Sequence, residues 1–311
     1  MGSGPSGGLQ LGKPAVWDIR LWRSAWSMCG SMPVMKTVEY EMGVVTFIDV
    51  LGFRVLVKNR PPSEIKRIQE LFLWFGKPRH LADDDEFDPK HSIRVISFSD
   101  SIVRFLPAEA LSAVFQETCN LLHAQGELVN QGVLIRGGMT CGKVLFDNEG
   151  AFGPGFIEAY DIEKDFAIYP RIAVSPGLLK AVLEGSPEFV CEHEPQSEAG
   201  WIRKMLQRGD DGVWFIDYLG AFRDELNDPA TYPNYLRSHR DIILKLADQL
   251  ETHGPALSSL ALKANWLARY HNRTVARVKD WLLEQGVTLD DVLFPVSRLP
   301  AMCELPAPPS F

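Results

Sequence analysis

Val44–Phe53 reads VVTFIDVLGF, a short β-rich apolar run broken by one acid, Asp49, and closed by Gly52. A run of this length and composition reads as a buried strand ending near Asp49. Downstream, Ser63 is placed to cap a helix with Ile65, Ile68, Phe72 and Phe75 on one face and Gly76 as its stop. IRVISFSDSIVRF (93–105) reads as two strands joined by a tight polar turn at Ser99, Asp100 and Ser101. A second helix is expected after Pro107, with Leu111, Val114, Phe115 and Leu122 along its apolar stripe. GVLIRGGMTCGKVLF (132–146) gives a glycine-interrupted strand pair, RIAVSPGLLKAVL (171–183) a strand running into a helix, and DDGVWFIDYL (210–219) a late strand.

Strand, helix, hairpin, helix, hairpin is the order of a ferredoxin-like βαββαβ core, so the expected class is α+β with added elements. After Tyr218 the pattern becomes purely helical, in HRDIILKLADQLE (239–251), ALSSLALKANWLARY (256–270) and TVARVKDWLLEQG (274–286). Three regions are therefore expected: an irregular arm over 1–40, the α+β domain over 41–220, and a helical extension with a Pro-rich tail over 221–311. LADDDEFDPKH (81–91) reads as a solvated acidic loop.

The chain has 311 residues, 46% of them hydrophobic, with 40 acids against 32 Lys and Arg, a net charge of −8. That excludes a disordered chain and argues against a nucleic-acid partner, whose binding surface would be basic. Cys29, Cys119, Cys141, Cys191 and Cys303 form no C-x-x-C pair, which fits a reducing cytoplasm better than a disulfide scaffold or zinc knuckle. No apolar run approaches membrane-helix length, so no direct membrane insertion is expected. His239 and His271 read as packing residues within the extension, and Cys141 has no evident base partner.

Asp49 at an apolar strand end and Asp100 in an apolar hairpin are acids in unusual places. Each alone could cap a loop or close a turn. In the βαββαβ order both reach one sheet edge, where two like charges need a cation between them. Hard oxygen ligands suit Mg²⁺ or Mn²⁺, and a pair of such ions serves in-line phosphoryl displacement. Gly52 adds a loop that lets backbone amides approach phosphate.

FIDVLGF (47–53), FSDSIV (98–103), IRGGMTCGKV (135–144), FGPGFIEAYDIE (152–163) and YPRIAVS (169–175) together resemble, in order and spacing, the class III nucleotidyl cyclase domain. Within that superfamily the chain is most similar to the pyrimidine cyclases of the Pycsar anti-phage systems, over about residues 44 to 220, and ANWLARYHN (264–272) resembles their tails. The resemblance implies that Asp49, Asp100 and the Val50 carbonyl hold two Mg²⁺ or Mn²⁺ ions. It implies that the amides of Leu51, Gly52 and Phe53 hold the triphosphate, and that a homodimer builds composite active sites. The implied reaction closes a 3′,5′-cyclic monophosphate, cyclic UMP or cyclic CMP, from UTP or CTP with release of pyrophosphate. The messenger would reach a downstream effector.

The departures narrow the substrate. Purine cyclases of this class carry a base-reading Lys and acid where this chain has Ile96 and about Gly150, and an Asn and Arg near Ile157 and Asp161. An arginine is the expected replacement at the phosphates. Arg136 and Arg171 are the catalytic candidates, and Arg94 a substrate-binding one closer to the base. Tyr160 and Glu163 read as lying on a helix that faces the dimer partner. Two alternatives remain at this stage: a cyclase-like domain that binds nucleotide or a partner without turnover, and a polymerase-palm relative that joins two nucleotides.

Overall fold

The computed structural model describes residues 39–75, 92–147, 150–253 and 258–299. Contacts divide the chain into Met1–Glu39 and a compact unit, Tyr40–Phe311. The arm expected over 1–40, Gly76 and the acidic stretch 81–91 fall almost wholly outside the described residues.

The unit is α+β. Strand β1 (Glu41–Val50) leads through Gly52 into helices α1 (Phe53–Asn59) and α2 (Pro62–Trp74), and then to β2 (Arg94–Phe98) and β3 (Ser101–Pro107). Helix α3 (Ala113–Asn130), β4 (Ile135–Phe146), β5 (Ala151–Phe152) and α4 (Pro154–Asp165) follow. Next come β6 (Ile172–Val174), α5 (Pro176–Glu184), α6 (Pro195–Lys204), β7 (Leu206–Arg208) and β8 (Trp214–Ile216). The sheet runs β2-β3-β1-β4-β6-β8-β7, with β5 paired to the end of β4. Its first four strands, β2-β3-β1-β4, are each antiparallel to the next and carry the ferredoxin-like order.

Alternation along β1 assigns its two faces. Val44, Ile48 and Val50 pack into the main core with Ile68 and Phe72 of α2 and Leu121, Leu122 and Leu128 of α3. Val45 and Phe47 point the other way, toward Phe156 and Ala159 of α4. Asp49, of the same parity as Val45 and Phe47, belongs to the α4 side.

The C-terminal helices α7 (Tyr232–His253), α8 (Ser258–Arg277), α9 (Lys279–Glu284) and α10 (Leu289–Val292) belong to the same unit. Tyr232, Tyr235 and Tyr270 enter the main core, and the Tyr232 and Tyr235 hydroxyls donate to the carbonyls of Leu219 and Tyr218. His239 and His271 stack between α7 and α8 with their Nδ1 atoms 3.1 Å apart. They pack the extension, as their sequence context indicated.

Several expected boundaries shift. Helix α2 starts at Pro62 after Pro61, so Ser63 sits inside its first turn instead of capping it. Leu111 is half exposed and precedes α3. Residues 135–146 are one continuous strand, not a pair. Gly137, Gly138 and Gly142 mark close approach and not breaks: a Cβ on Gly138 would collide with the Ala159 carbonyl and the Glu163 amide of α4. TVAR (274–277) completes α8, and the turn at Val278 begins α9.

Candidate active site

The β1–β3 register pairs Asp49 with Ser101, and the β1–β4 register pairs Asp49 with Arg136. Ser99 and Asp100 are the two-residue loop of the β2–β3 hairpin, Ser99 taking the positive φ of 58° that such loops require. The Val50 N–H donates to the Asp100 carbonyl at 2.9 Å. Residues fifty positions apart are thereby fastened at one end of the sheet.

Arg136 occupies the centre of this edge. Its Nε donates to Asp49 Oδ2 at 3.0 Å, and its Nη2 lies 2.7 Å from Glu163 Oε1. Glu163 is only 4% exposed, held in α4, which Gly138 allows to lie directly on β4. Burial pushes the Glu163 carboxyl above its ordinary range; Arg136 opposes that shift, Asp49 adds to it and Lys263 opposes it. Lys263 comes from α8. Burial and Arg136 lower its ammonium, while Asp49 and Glu163 raise it. Asp49, Arg136 and Glu163 thus form one half-buried cluster at the strand end.

Other candidates are placed elsewhere. The Leu51 N–H donates to the Leu134 carbonyl at 2.9 Å, so it is not available to a triphosphate, and the expectation for Leu51 is corrected. Gly52 takes a left-handed φ of 70° and its carbonyl accepts from Val55 and Leu56, which starts α1 at Phe53. Arg94 is bound to Glu41 at 2.7 and 3.0 Å and to the Phe146 carbonyl, at the other end of β1. Eight residue steps along β1, about 26 Å, separate Glu41 from Asp49, so Arg94 is removed from the site. Arg171 has no exposed surface: it pairs with Asp211 and lies over Tyr169, Phe215 and Trp266. It clamps α8 to β8, and its expected catalytic role is corrected on that ground. Glu163 is likewise turned inward to Arg136, not outward to a partner, whereas Tyr160 remains exposed beside Phe47. The Cys141 thiol is raised by burial and by Glu158 and has no role in this cluster.

Lys263 was not singled out in the sequence. It sits in an amphipathic helix far along the chain, and nothing short of the tertiary packing signals its partners. Cavities of about 470 and 710 Å³ lie around Ser112, Phe189 and Glu198, and around Phe166, Leu179 and Trp214, and neither is lined by Asp49 or Asp100. The cluster sits where the interior strands β1 and β4 end. Among the described residues no three His, Cys, Asp or Glu side chains converge as a metal site, and no helix is long and apolar enough to cross a membrane.

No family model matches the chain, and no curated protein does. Among solved structures it is similar to a bacterial light-regulated adenylyl cyclase, at 13% identity over 53% of this chain and 98% of that one, with a TM-score of 0.31. A second structure of a bacterial light-regulated adenylyl cyclase matches at 14% identity over 60% and 67%, with a TM-score of 0.35. The adenylyl cyclase CyaB from P. aeruginosa matches at 13% identity over 58% and 96%, with a TM-score of 0.33. Overlaps of this size describe partial likeness and say nothing of substrate.

Proposed function

We propose that this chain is a nucleotidyl cyclase that takes a pyrimidine nucleoside triphosphate, UTP or CTP, and closes it to a 3′,5′-cyclic monophosphate. The ribose 3′-hydroxyl loses its proton and attacks the α-phosphorus, and the bond to pyrophosphate breaks. The observation that carries this reading is the tie between Val50 N–H and the Asp100 carbonyl, which brings Asp100 beside the strand end that bears Asp49. Such chemistry asks a protein mainly for positioning and charge neutralisation.

Of the two acids expected to share a cation, Asp49 accepts a hydrogen bond from Arg136 Nε. Two carboxylates and the Val50 carbonyl are nonetheless hard oxygen donors of the kind Mg²⁺ and Mn²⁺ prefer, so Asp49, Asp100 and Val50 suit a pair of such ions. When bound, divalent ions would neutralise phosphate charge and acidify the 3′-hydroxyl. Arg136 then acts as a planar cation set beside the reacting phosphate, and Glu163 orients it. Ile96 in β2 is apolar where purine cyclases carry a base-reading lysine, which supports a pyrimidine. Tyr40, Phe152, Ile157 and Tyr160 are large, exposed and apolar along the α4 side of the sheet, and support packing of a second copy against that side. A cytoplasmic messenger acting through an effector in anti-phage defence belongs to the same reading.

The test is incubation with Mn²⁺ and each ribonucleoside triphosphate, read by mass spectrometry. A cyclic monophosphate from UTP or CTP is expected, and product from ATP alone overturns the pyrimidine assignment. The hold of Arg136 on Asp49 favours one second reading, a nucleotide-binding domain without turnover. Triphosphate binding without pyrophosphate release over hours would identify it.

A further inference from the structure

We propose that the cavity between the start of α3, helix α5 and helix α6 binds a small organic cation with an apolar body, an arylalkylammonium in class, with the Glu198 carboxylate as its counter-charge. The site is separate from the Asp49 end of the sheet, and its test needs no turnover.

The cavity measures about 470 Å³, a size that takes a small organic molecule. Val114, Val182, Phe189 and Ile202 give it an apolar wall, and Ser112 and Glu198 bring polar groups to it. Four acids are buried among the described residues: Glu117, Glu163, Glu198 and Asp217. Glu117 pairs with Arg104, Glu163 with Arg136 and Asp217 with Arg277. Glu198, 4% exposed, forms no ion pair with any Lys, Arg or His among the described residues. Neutral donors hold it instead. The Ser112 hydroxyl and the His193 N–H both donate to Oε1, the latter at 2.9 Å. Ser112 also accepts from the Glu192 N–H at 3.0 Å, and it takes a left-handed φ of 51°, a costly backbone conformation for a serine that these bonds hold in place. Burial raises the Glu198 carboxyl, but the bonds from Ser112, His193, Cys191 and Glu192 outweigh it and hold the group below its ordinary range. The carboxylate is therefore ionised. Its donors satisfy its lone pairs without cancelling its charge, and the first turn of α6, where it lies, offers only about half a charge. A buried charge calls for a partner of opposite sign, and the apolar wall beside it selects the body that such a cation carries.

The probe is phenethylammonium, compared with its neutral near-isostere 2-phenylethanol and its anionic one 3-phenylpropionate. Each is titrated into the full chain labelled with ¹³C at the alanine methyls. Ala181 and Ala199 line the cavity, and their signals are identified by their loss in Ala181→Ser and Ala199→Ser. Both are expected to shift saturably with the ammonium, at a Kd below about 1 mM. The alcohol should bind about tenfold more weakly, the scale of one charge-assisted hydrogen bond, and the propionate should not saturate. Glu198→Gln should weaken the ammonium about tenfold and leave the alcohol unchanged. Glu188→Gln, at an exposed acid of the neighbouring loop, should change neither. If Glu198→Gln fails to melt cooperatively, Val182→Trp fills the cavity from a partly exposed position while keeping the carboxylate, and should abolish the ammonium shifts. Absence of a saturable shift with the ammonium, equal affinity for ammonium and alcohol, or an affinity that the folded variant leaves unchanged overturns the proposal.

Discussion

Arg136 and Asp49 face each other in register on neighbouring antiparallel strands and are joined by an Nε–H to Oδ2 hydrogen bond of 3.0 Å. The pairing fixes which face of the sheet carries the charge, because the parity of Asp49 is that of Val45 and Phe47 on the α4 side. If these side chains serve phosphoryl transfer, removing one should lower kcat by roughly 100-fold or more, as for other preorganised electrostatic groups. Asp49→Asn and Asp100→Asn are expected to behave so while melting within a few degrees of the wild type, whereas Arg136→Met also leaves the buried Glu163 without its cation and is expected to melt lower. Product formation by mass spectrometry, with a thermal melt on each variant, checks this.

Arg94 and Arg171 should separate cleanly from Arg136. Arg94→Ala breaks a partly exposed pair with Glu41 and is expected to leave turnover unchanged. Arg171→Met removes a fully buried guanidinium from among Tyr169, Phe215 and Trp266 and strands Asp211, at a cost of about 3 kcal/mol. Urea denaturation beside kinetics distinguishes them. A large loss of turnover in folded Arg94→Ala would return that residue to the site.

A second buried pair carries the fold on the opposite face. Arg104 and Glu117 are almost without exposure, bonded at 2.8 Å twice, with Arg104 also donating to the carbonyls of Phe72 and Phe75 and Thr46 donating to Glu117. Every partner is satisfied, so α2 is pinned to β3 and α3 through one guanidinium. Glu117→Gln leaves a buried cation uncompensated and is expected to destabilise by about 3–5 kcal/mol. Arg104→Met with Glu117→Leu should recover part of that loss. The urea midpoints of the single and double variants decide.

Much of this was legible in the chain because period and punctuation are local. The apolar run before Gly52, the polar turn at Ser99 and Asp100, and the Ser175-Pro176 junction each set their own element, and Ser175 indeed accepts from Leu178 at the start of α5. What failed was whatever depends on distant packing. The glycines of β4 read as strand breaks, yet they are contacts with α4 and β1 that only the folded arrangement discloses. Arg94, Arg136 and Arg171 look alike in sequence. Their fates differ because Glu41, Asp49 and Asp211 are the acids that the sheet register and the fold bring to each.

Gly138 connects that packing to the site. Adding a Cβ there presses on the backbone of Ala159 and Glu163, and backbone cannot yield as a flexible side-chain tip does. Gly138→Ala is expected to displace α4, and with it the carboxylate that orients Arg136. Loss of both stability and turnover is the expected outcome. Gly150→Ala, where an added Cβ meets nothing, is the control.

Acid should loosen the helical extension before it reaches the carboxylates. His271, with Nε2 2.6 Å from the Val292 carbonyl, is lowered to about 4 by burial, and burial together with His271 also depresses His239. In the unfolded chain both titrate near 6.5. Above that value neither state binds the proton and the pair contributes its full stability. As pH falls from about 6.5 toward 4 the unfolded chain takes up protons that the folded one refuses, so stability drops. For His271 the slope is about 1.4 kcal/mol per pH unit, about 3 kcal/mol across the window. Urea midpoints at pH 7.5, 6 and 5 should show the decline, and His271→Gln should flatten it; a wild-type midpoint constant over that range would contradict the buried neutral pair.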